Sequence, residues 1–256
     1  MSEDEDRLLS FTVKGTAIGS NLAQAIASGK VAHRDDGKFV LVDNREPGTV
    51  ELDGYISRRG DFTQPCFFLN RFMFRHVYAE GAVPFGCRDC FKVKVVTANL
   101  RQMMAVNEIA QSVSAGSKSG MEVDNPENQT LYGTYFYSLG LDRARALYRD
   151  LRAKINQHAK LGTSVKMLIK RGCTNYERKC GPSDRYTFDP RQEEIERHFF
   201  ARFAGDVRGG VRKSIRDGMQ ILEWVKIAYR IGDDTYKDFT GGKDLFPPVV
   251  TYPPEE

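Results

Sequence analysis

The chain has 256 residues, 41% hydrophobic and 28% charged. That balance suits a folded protein with a sizeable core and argues against a disordered or collagen-like chain. The formal net charge of +4 is spread unevenly: residues 1–56 hold six basic and ten acidic side chains, residues 141–180 eleven basic and three acidic. No apolar run approaches the roughly 20 residues that a membrane span needs, so no membrane association is expected.

The opening stretch, residues 1–6, is acidic and lacks the basic and then apolar layout of a signal peptide, which sets a cytoplasmic location as the expectation. Residues 1–7 read as a flexible acidic N-terminus and residues 8–13 as a short strand. Gly15 and Gly19 then lead into a helix over residues 21–28 that stops at Gly29. This turn lacks both the dinucleotide fingerprint and the Gly-Lys-Ser/Thr of a P-loop, and is taken as a plain turn. Residues 38–43 and 49–53 alternate as strands around a turn at Pro47-Gly48.

Residues 67–78 interleave Phe67, Phe68, Phe72, Phe74 and Tyr78 with Arg71 and Arg75. One reading is a buried amphipathic helix with two arginines at its edge. The other is a surface that stacks bases and binds phosphates. Cys87-Arg88-Asp89-Cys90 runs directly into a strand over residues 91–96, in which Phe91, Val93 and Val95 alternate with Lys92 and Lys94. A helix follows over residues 99–113, with Leu100, Met103, Val106, Ala110 and Val113 on one face. Residues 114–131, rich in Ser, Gly and Asn, read as a long loop.

A strand over residues 133–138 precedes a helix over residues 142–159. Its apolar stripe leaves Arg143, Arg145, Arg149, Arg152 and Lys154 largely on other faces. A third alternating strand, residues 164–170, carries Lys166 and Lys170 and ends at Arg171-Gly172-Cys173. Asp189-Pro190 opens a helix with Ile195, Phe199 and Phe203 inward. After Gly209-Gly210 a last helix over residues 211–230 is expected to turn Val211, Ile215, Leu222, Val225 and Tyr229 inward, and residues 240–256 read as coil.

Five cysteines in a reducing compartment point to metal rather than disulfides. Cys87 and Cys90 have the spacing at which one turn directs two sulfurs to a single ion. Cys173 and Cys180, six residues apart, are flanked by Gly172 and Gly181-Pro182, which reads as a tight excursion that returns. Cys87, Cys90, Cys173 and Cys180 are therefore the expected ligands, and Cys66 a spare buried thiol. Cys90 precedes its strand and Cys173 follows its own, so a shared ion requires strands 91–96 and 164–170 to run antiparallel. The expectation is one α+β domain over residues 1–256, a mixed or antiparallel sheet with helices packed on one side, two C-terminal helices and a four-cysteine brace. Zinc is preferred, with a [4Fe-4S] cluster the alternative.

Other chemistry is thin. Glu194 and His198 lie one helical turn apart, but no matching motif on another helix completes a carboxylate–histidine site. No catalytic residues are assigned, and whether the chain is an enzyme stays open. The functional expectation is a metal-binding, nucleic-acid-binding protein or subunit of a nucleoprotein complex. Phosphates would meet Arg71, Arg75, Lys92, Lys94, Arg143, Arg145, Arg149, Arg152, Lys166 and Lys170. The alternative is an iron–sulfur redox enzyme or its accessory subunit, with partner subunits on the basic surface.

Overall fold

The computed structural model describes residues 3–42, 52, 54–61, 64–123, 130–206 and 213–252. The expected turn at residues 44–48, nearly all of strand 49–53, Pro126 and the Gly209-Gly210 break lie outside the described residues. The acidic start is not a loose tail from Glu3 onward. Helix α1 (Glu3–Leu9) buries Leu8 and is tied down by Arg7 to Glu194 and by Glu5 to Arg202, both at 2.5 Å. A hairpin of β1 (Thr12–Val13) and β2 (Thr16–Ala17) follows. Lys14 and Gly15 join its strands at φ of 48° and 82°. Two left-handed residues make the turn whose twist matches a strand pair, and Gly15 takes one of those places without a Cβ penalty.

Helix α2 (Ile18–Ala27), β3 (Val31–His33) and β4 (Phe39–Leu41) enclose the π-helix Phe67–Val77. That helix buries residues 68–69, 72–74 and 77 on successive turns, a spacing wider than the α-helical repeat and suited to i→i+5 bonding. With α6 (Arg191–Ala201) and β10 (Phe203–Asp206), which pairs parallel to β4, these elements form an aromatic core around Phe68, Phe72, Phe74 and Phe199.

The larger sheet is antiparallel throughout, in the order β5–β7–β8–β6–β9. Its strands are β5 (Tyr55–Arg58), β6 (Cys90–Thr97), β7 (Ser117–Met121), β8 (Tyr132–Leu139) and β9 (Lys166–Arg171). The expected antiparallel pairing of the 91–96 and 164–170 strands is met, with Val93 opposite Ile169 and Val95 opposite Met167. Helix α3 (Leu100–Ile109) joins β6 to β7 and α4 (Leu141–Gln157) joins β8 to β9. This βαββαβ run has the ferredoxin-like connectivity, with β5 added at one edge. The α+β expectation with mixed and antiparallel pairing holds.

The expected loop 114–131 contains β7. Its Ser117 and Ser119 are buried and Ser119 accepts from Thr134 Oγ1 at 3.1 Å, while a Cβ on Gly120 would stand 2.2 Å from the Gly54 carbonyl. A strand built from small residues at a close approach carries no apolar alternation to read. Helix α7 (Lys213–Arg230) corrects a second expectation: Gln220, Trp224, Val225 and Ala228 face in, whereas Ile215 and Leu222 are exposed. Trp224 is fully buried and its Nε1 donates to the Gly54 carbonyl at 2.9 Å. Asp233 joins three further pieces, accepting from the Leu100 N–H at the start of α3, from the Tyr132 hydroxyl of β8 and from Thr235.

Two measurements check these anchors. Trp224→Ala should cost about 3–5 kcal/mol in urea unfolding, and Leu222→Ala, 62% exposed, should stay within about 0.5 kcal/mol of wild type. Burial pushes the Asp233 carboxyl up, but the bonds from Tyr132, Thr235 and Leu100 outweigh that and hold it below its ordinary value. A depressed acid stabilises the fold above its unfolded pKa and loses that contribution as pH falls toward its folded one. Asp233→Asn should therefore cost about 1–3 kcal/mol near neutral pH, and the gap to wild type should close below about pH 4.

Candidate functional site

Strand alternation divides the large sheet into two chemically different faces. Val93, Val95, Phe136 and Met167 lie beneath α3 and α4 together with Val106, Leu151 and Ile155. Every intervening residue points the other way. Cross-strand register then sets Lys92 beside Tyr137 and Lys170, and Lys94 beside Tyr135 and Leu168. Lys118 lies opposite Tyr135 and Ser57, and Tyr55 opposite Gly120. Cys90 shares this second face, one position beyond Lys92 in the alternation.

Five lysines and three tyrosines thus occupy the face without helices. The Lys92 and Lys94 ammonium groups stand 5.1 and 5.3 Å from the Tyr135 ring centre, and Lys118 is 3.5 Å from that of Tyr55. Glu122 is the carboxylate among them and accepts from the Tyr135 hydroxyl. Lys92 and Lys94 are only 6% and 8% exposed, and burial pulls the Lys94 ammonium below its usual pKa. Lys166 is exposed; Lys118 and Lys170 are half-buried, Lys170 pairing with Glu177. The outward-facing lysines expected from sequence are thus on one face, but its inner pair is covered.

The remaining basic residues are elsewhere. Arg143, Arg145 and Arg149 are exposed on α4, whose apolar side packs on the opposite sheet face. Arg152 spends one amino group on the Val165 carbonyl at 2.8 Å, and Arg145 pairs with Asp142. They cannot extend the lysine face, because the sheet lies between. Arg71 stands over the Phe67 ring at 5.7 Å and Arg75 is exposed. The aromatics interleaved with them are not a stacking surface, since Phe68, Phe72 and Phe74 are inside the aromatic core. The buried-helix reading of this stretch is the one the packing follows.

The thiols gather at the Cys90 end of the lysine face. Cys87 ends a short turn (Phe85–Cys87), and its Sγ is 3.6 Å from the Tyr176 hydroxyl. The Gly172 N–H donates to the Cys90 carbonyl at 2.9 Å, which brings Cys173 alongside β6. Burial, and then the charges of Cys173 and Cys66, push Cys90 up to about 12. Cys66, at the start of the π-helix, is an exposed residue and not the buried thiol expected; desolvation of its thiol and the charge of Cys173 raise it to about 11, against the pull of Lys92 and Lys118. Cys87 is driven well above the ordinary thiol range by burial and by Cys173, Cys90 and Cys66.

Cys180 behaves differently. Residues 174–180 form a helix, α5 (Thr174–Cys180), where a returning loop was expected. It carries Cys180 away to a site where its thiol donates to the Glu80 carbonyl at 3.7 Å. Burial raises its pKa, with Lys14 and Glu80 the charges that act on it. As the side chains stand, no three His, Cys, Asp or Glu groups among the described residues are in ligating geometry.

The functional support that sequence reasoning missed is Glu196. It faces inward from α6 and accepts from Phe85 N–H at 2.6 Å, Gly86 N–H at 2.8 Å and the Tyr78 hydroxyl at 3.1 Å, fixing the turn that delivers Cys87. The pair singled out on that helix does other work: Glu194 binds Arg7, and His198 sits beside Arg202 and Glu5. A buried acid next to Ile195 and three residues before Phe199 is unmarked in sequence, because only the partner loop identifies it. Comparison with protein-family models, curated proteins and solved structures found no match.

Glu196→Gln exchanges an acceptor oxygen for a donor facing backbone N–H groups. It should cost about 1–3 kcal/mol and speed hydrogen exchange at Phe85 and Gly86, leaving Tyr132 amide exchange unchanged beyond the global loss.

Proposed function

We propose that the chain binds single-stranded nucleic acid on the lysine–tyrosine face of the large sheet, as a metal-braced nucleic-acid-binding protein or subunit of a nucleoprotein complex. The observation that carries the reading is the gathering of basic and aromatic side chains there: Lys92, Lys94, Lys118, Lys166 and Lys170 share one sheet face with Tyr55, Tyr135 and Tyr137. Ammonium groups concentrated on one face set up a field that attracts a polyanion. Exposed Lys166 and half-buried Lys118 and Lys170 meet phosphates directly, while Lys92 and Lys94 act through their field in a low-dielectric setting. Half-buried Tyr55, with Lys118 over its ring, is the tyrosine offered to a base, while Tyr137 packs against the aromatic core. An antiparallel sheet face bearing aromatic and basic residues is a common platform for single strands.

Fluorescence anisotropy with a labelled single-stranded oligonucleotide at low salt tests this. Affinity should fall with salt, by about 0.7 in logarithmic slope per phosphate contact. Lys118→Ala with Lys166→Ala should weaken binding and lower that slope, and Arg143→Ala with Arg149→Ala should leave both unchanged. The reverse pattern moves the surface to α4 and overturns the proposed face. Absence of binding to any DNA or RNA at low salt sinks the function itself.

A further inference from the structure

We propose that Cys66, Cys87, Cys90 and Cys173 are the four ligands of one metal centre at the end of the lysine face, with Cys180 outside it. The inference rests on the metal-binding part of the proposed function and names its ligands. Three strands of geometry carry it.

The first excludes Cys180. Cys173 caps α5 and Cys180 closes it, so about seven residues at about 1.5 Å rise separate them, roughly 10 Å along the axis. Two sulfurs on one zinc are at most about 4.6 Å apart, twice the Zn–S bond length. Side-chain rotation cannot close that gap while the helix stands, and the Cys180 thiol is already engaged with Glu80.

The second brings in Cys66. The first turn of the π-helix lies against the first turn of α5: Asn70 Nδ2 donates to Asn175 Oδ1 at 3.4 Å, and the Phe74 and Tyr176 rings meet at 4.5 Å. Cys66 stands four residues before Asn70, and Cys173 two before Asn175. The third joins the Cys87–Cys90 pair to the same spot. Tyr176 touches the Cys87 sulfur and donates its N–H to the Cys173 carbonyl at 3.0 Å, and the residue before Cys173 bonds to Cys90. The electrostatic record agrees, since Cys66, Cys87 and Cys90 each feel Cys173, whereas the charges on Cys180 are Lys14 and Glu80.

The sulfurs are not in bonding positions as the side chains stand; each ends a side chain with one torsion, and rotation about χ1 is the movement that binding would call for. Four thiolates close a coordination sphere around zinc, or hold the corners of an iron–sulfur cluster. With Lys92 and Lys118 lowering the cost of negative charge at Cys66, the donor set fits a soft cation.

The full chain, purified anaerobically, should contain metal, and its optical spectrum separates colourless zinc from a brown cluster. After stripping, Zn²⁺ should protect Cys66, Cys87, Cys90 and Cys173 from alkylation, read by peptide mass spectrometry, and leave Cys180 reacting at an unchanged rate. Cys66→Ser should weaken Zn²⁺ binding by at least the ~10–100-fold that loss of an outer-shell partner costs, or bleach a cluster, and Cys180→Ser should match wild type. The alkylation arm uses the unaltered protein and so holds even where a variant fails to fold. Protection of Cys180 with Cys66 left reactive overturns the ligand assignment while a metal site stands. A chain with no metal as purified and no thiol protected by Zn²⁺ overturns the metal-binding reading itself.

Discussion

The period-two alternation of β6, hydrogen-bonded on both sides, governs the molecule. Paired to β8 along eight residues and to β9 along six, it has one register in which Val93 and Val95 meet the helices. A slip of one residue would drive Lys92 and Lys94 beneath α3 and α4, into the apolar cluster of Val106, Leu151 and Ile155. The same register that builds the apolar core therefore creates a cationic face behind it, and places Cys90 on that face. Core and site are two sides of one pairing decision.

What could be read from sequence follows from how strongly a segment is patterned. The strands at residues 91–96, 133–138 and 164–170 alternate clearly, and the helices at 99–113 and 142–159 carry one apolar stripe each; all five are found close to their expected bounds. β7 escapes, because close approach to β5 at Gly54 and Gly120 demands small residues rather than apolar ones. α7 carries apolar residues on two faces, so its pattern admits two orientations, and the choice falls to a partner distant in sequence, the Gly54 carbonyl that receives Trp224. Periodicity states which residues share a face but not which face has company.

The cysteines teach a related lesson about spacing. Cys87 and Cys90 lie in a turn, where two intervening residues fix the separation in space. A gap of six carries no such information until the conformation between is known. As a loop it would return and as a helix it advances, and Thr174–Cys180 is helical, with Gly181 at φ 88° ending it. Cys66, separated from Cys87 by the whole π-helix, could be brought in only by tertiary packing of that helix against α5.

The lysine face and the thiols are then parts of one electrostatic problem. Lys92, Lys94 and Lys118 share one face with Glu122, and burial there makes positive charge costlier, pulling the Lys94 ammonium below its usual pKa. Four thiolates around a divalent ion are doubly negative, and the lysines that ease the charge on Cys66 are Lys92 and Lys118. A filled centre would absorb much of their field. Lys94 and exposed Lys166, farther along the sheet from Cys90, would feel that charge least and would be left to attract a polyanion. On this argument a filled centre would orient the nucleic acid as well as brace the fold, because its charge would decide which lysines are left to bind phosphate.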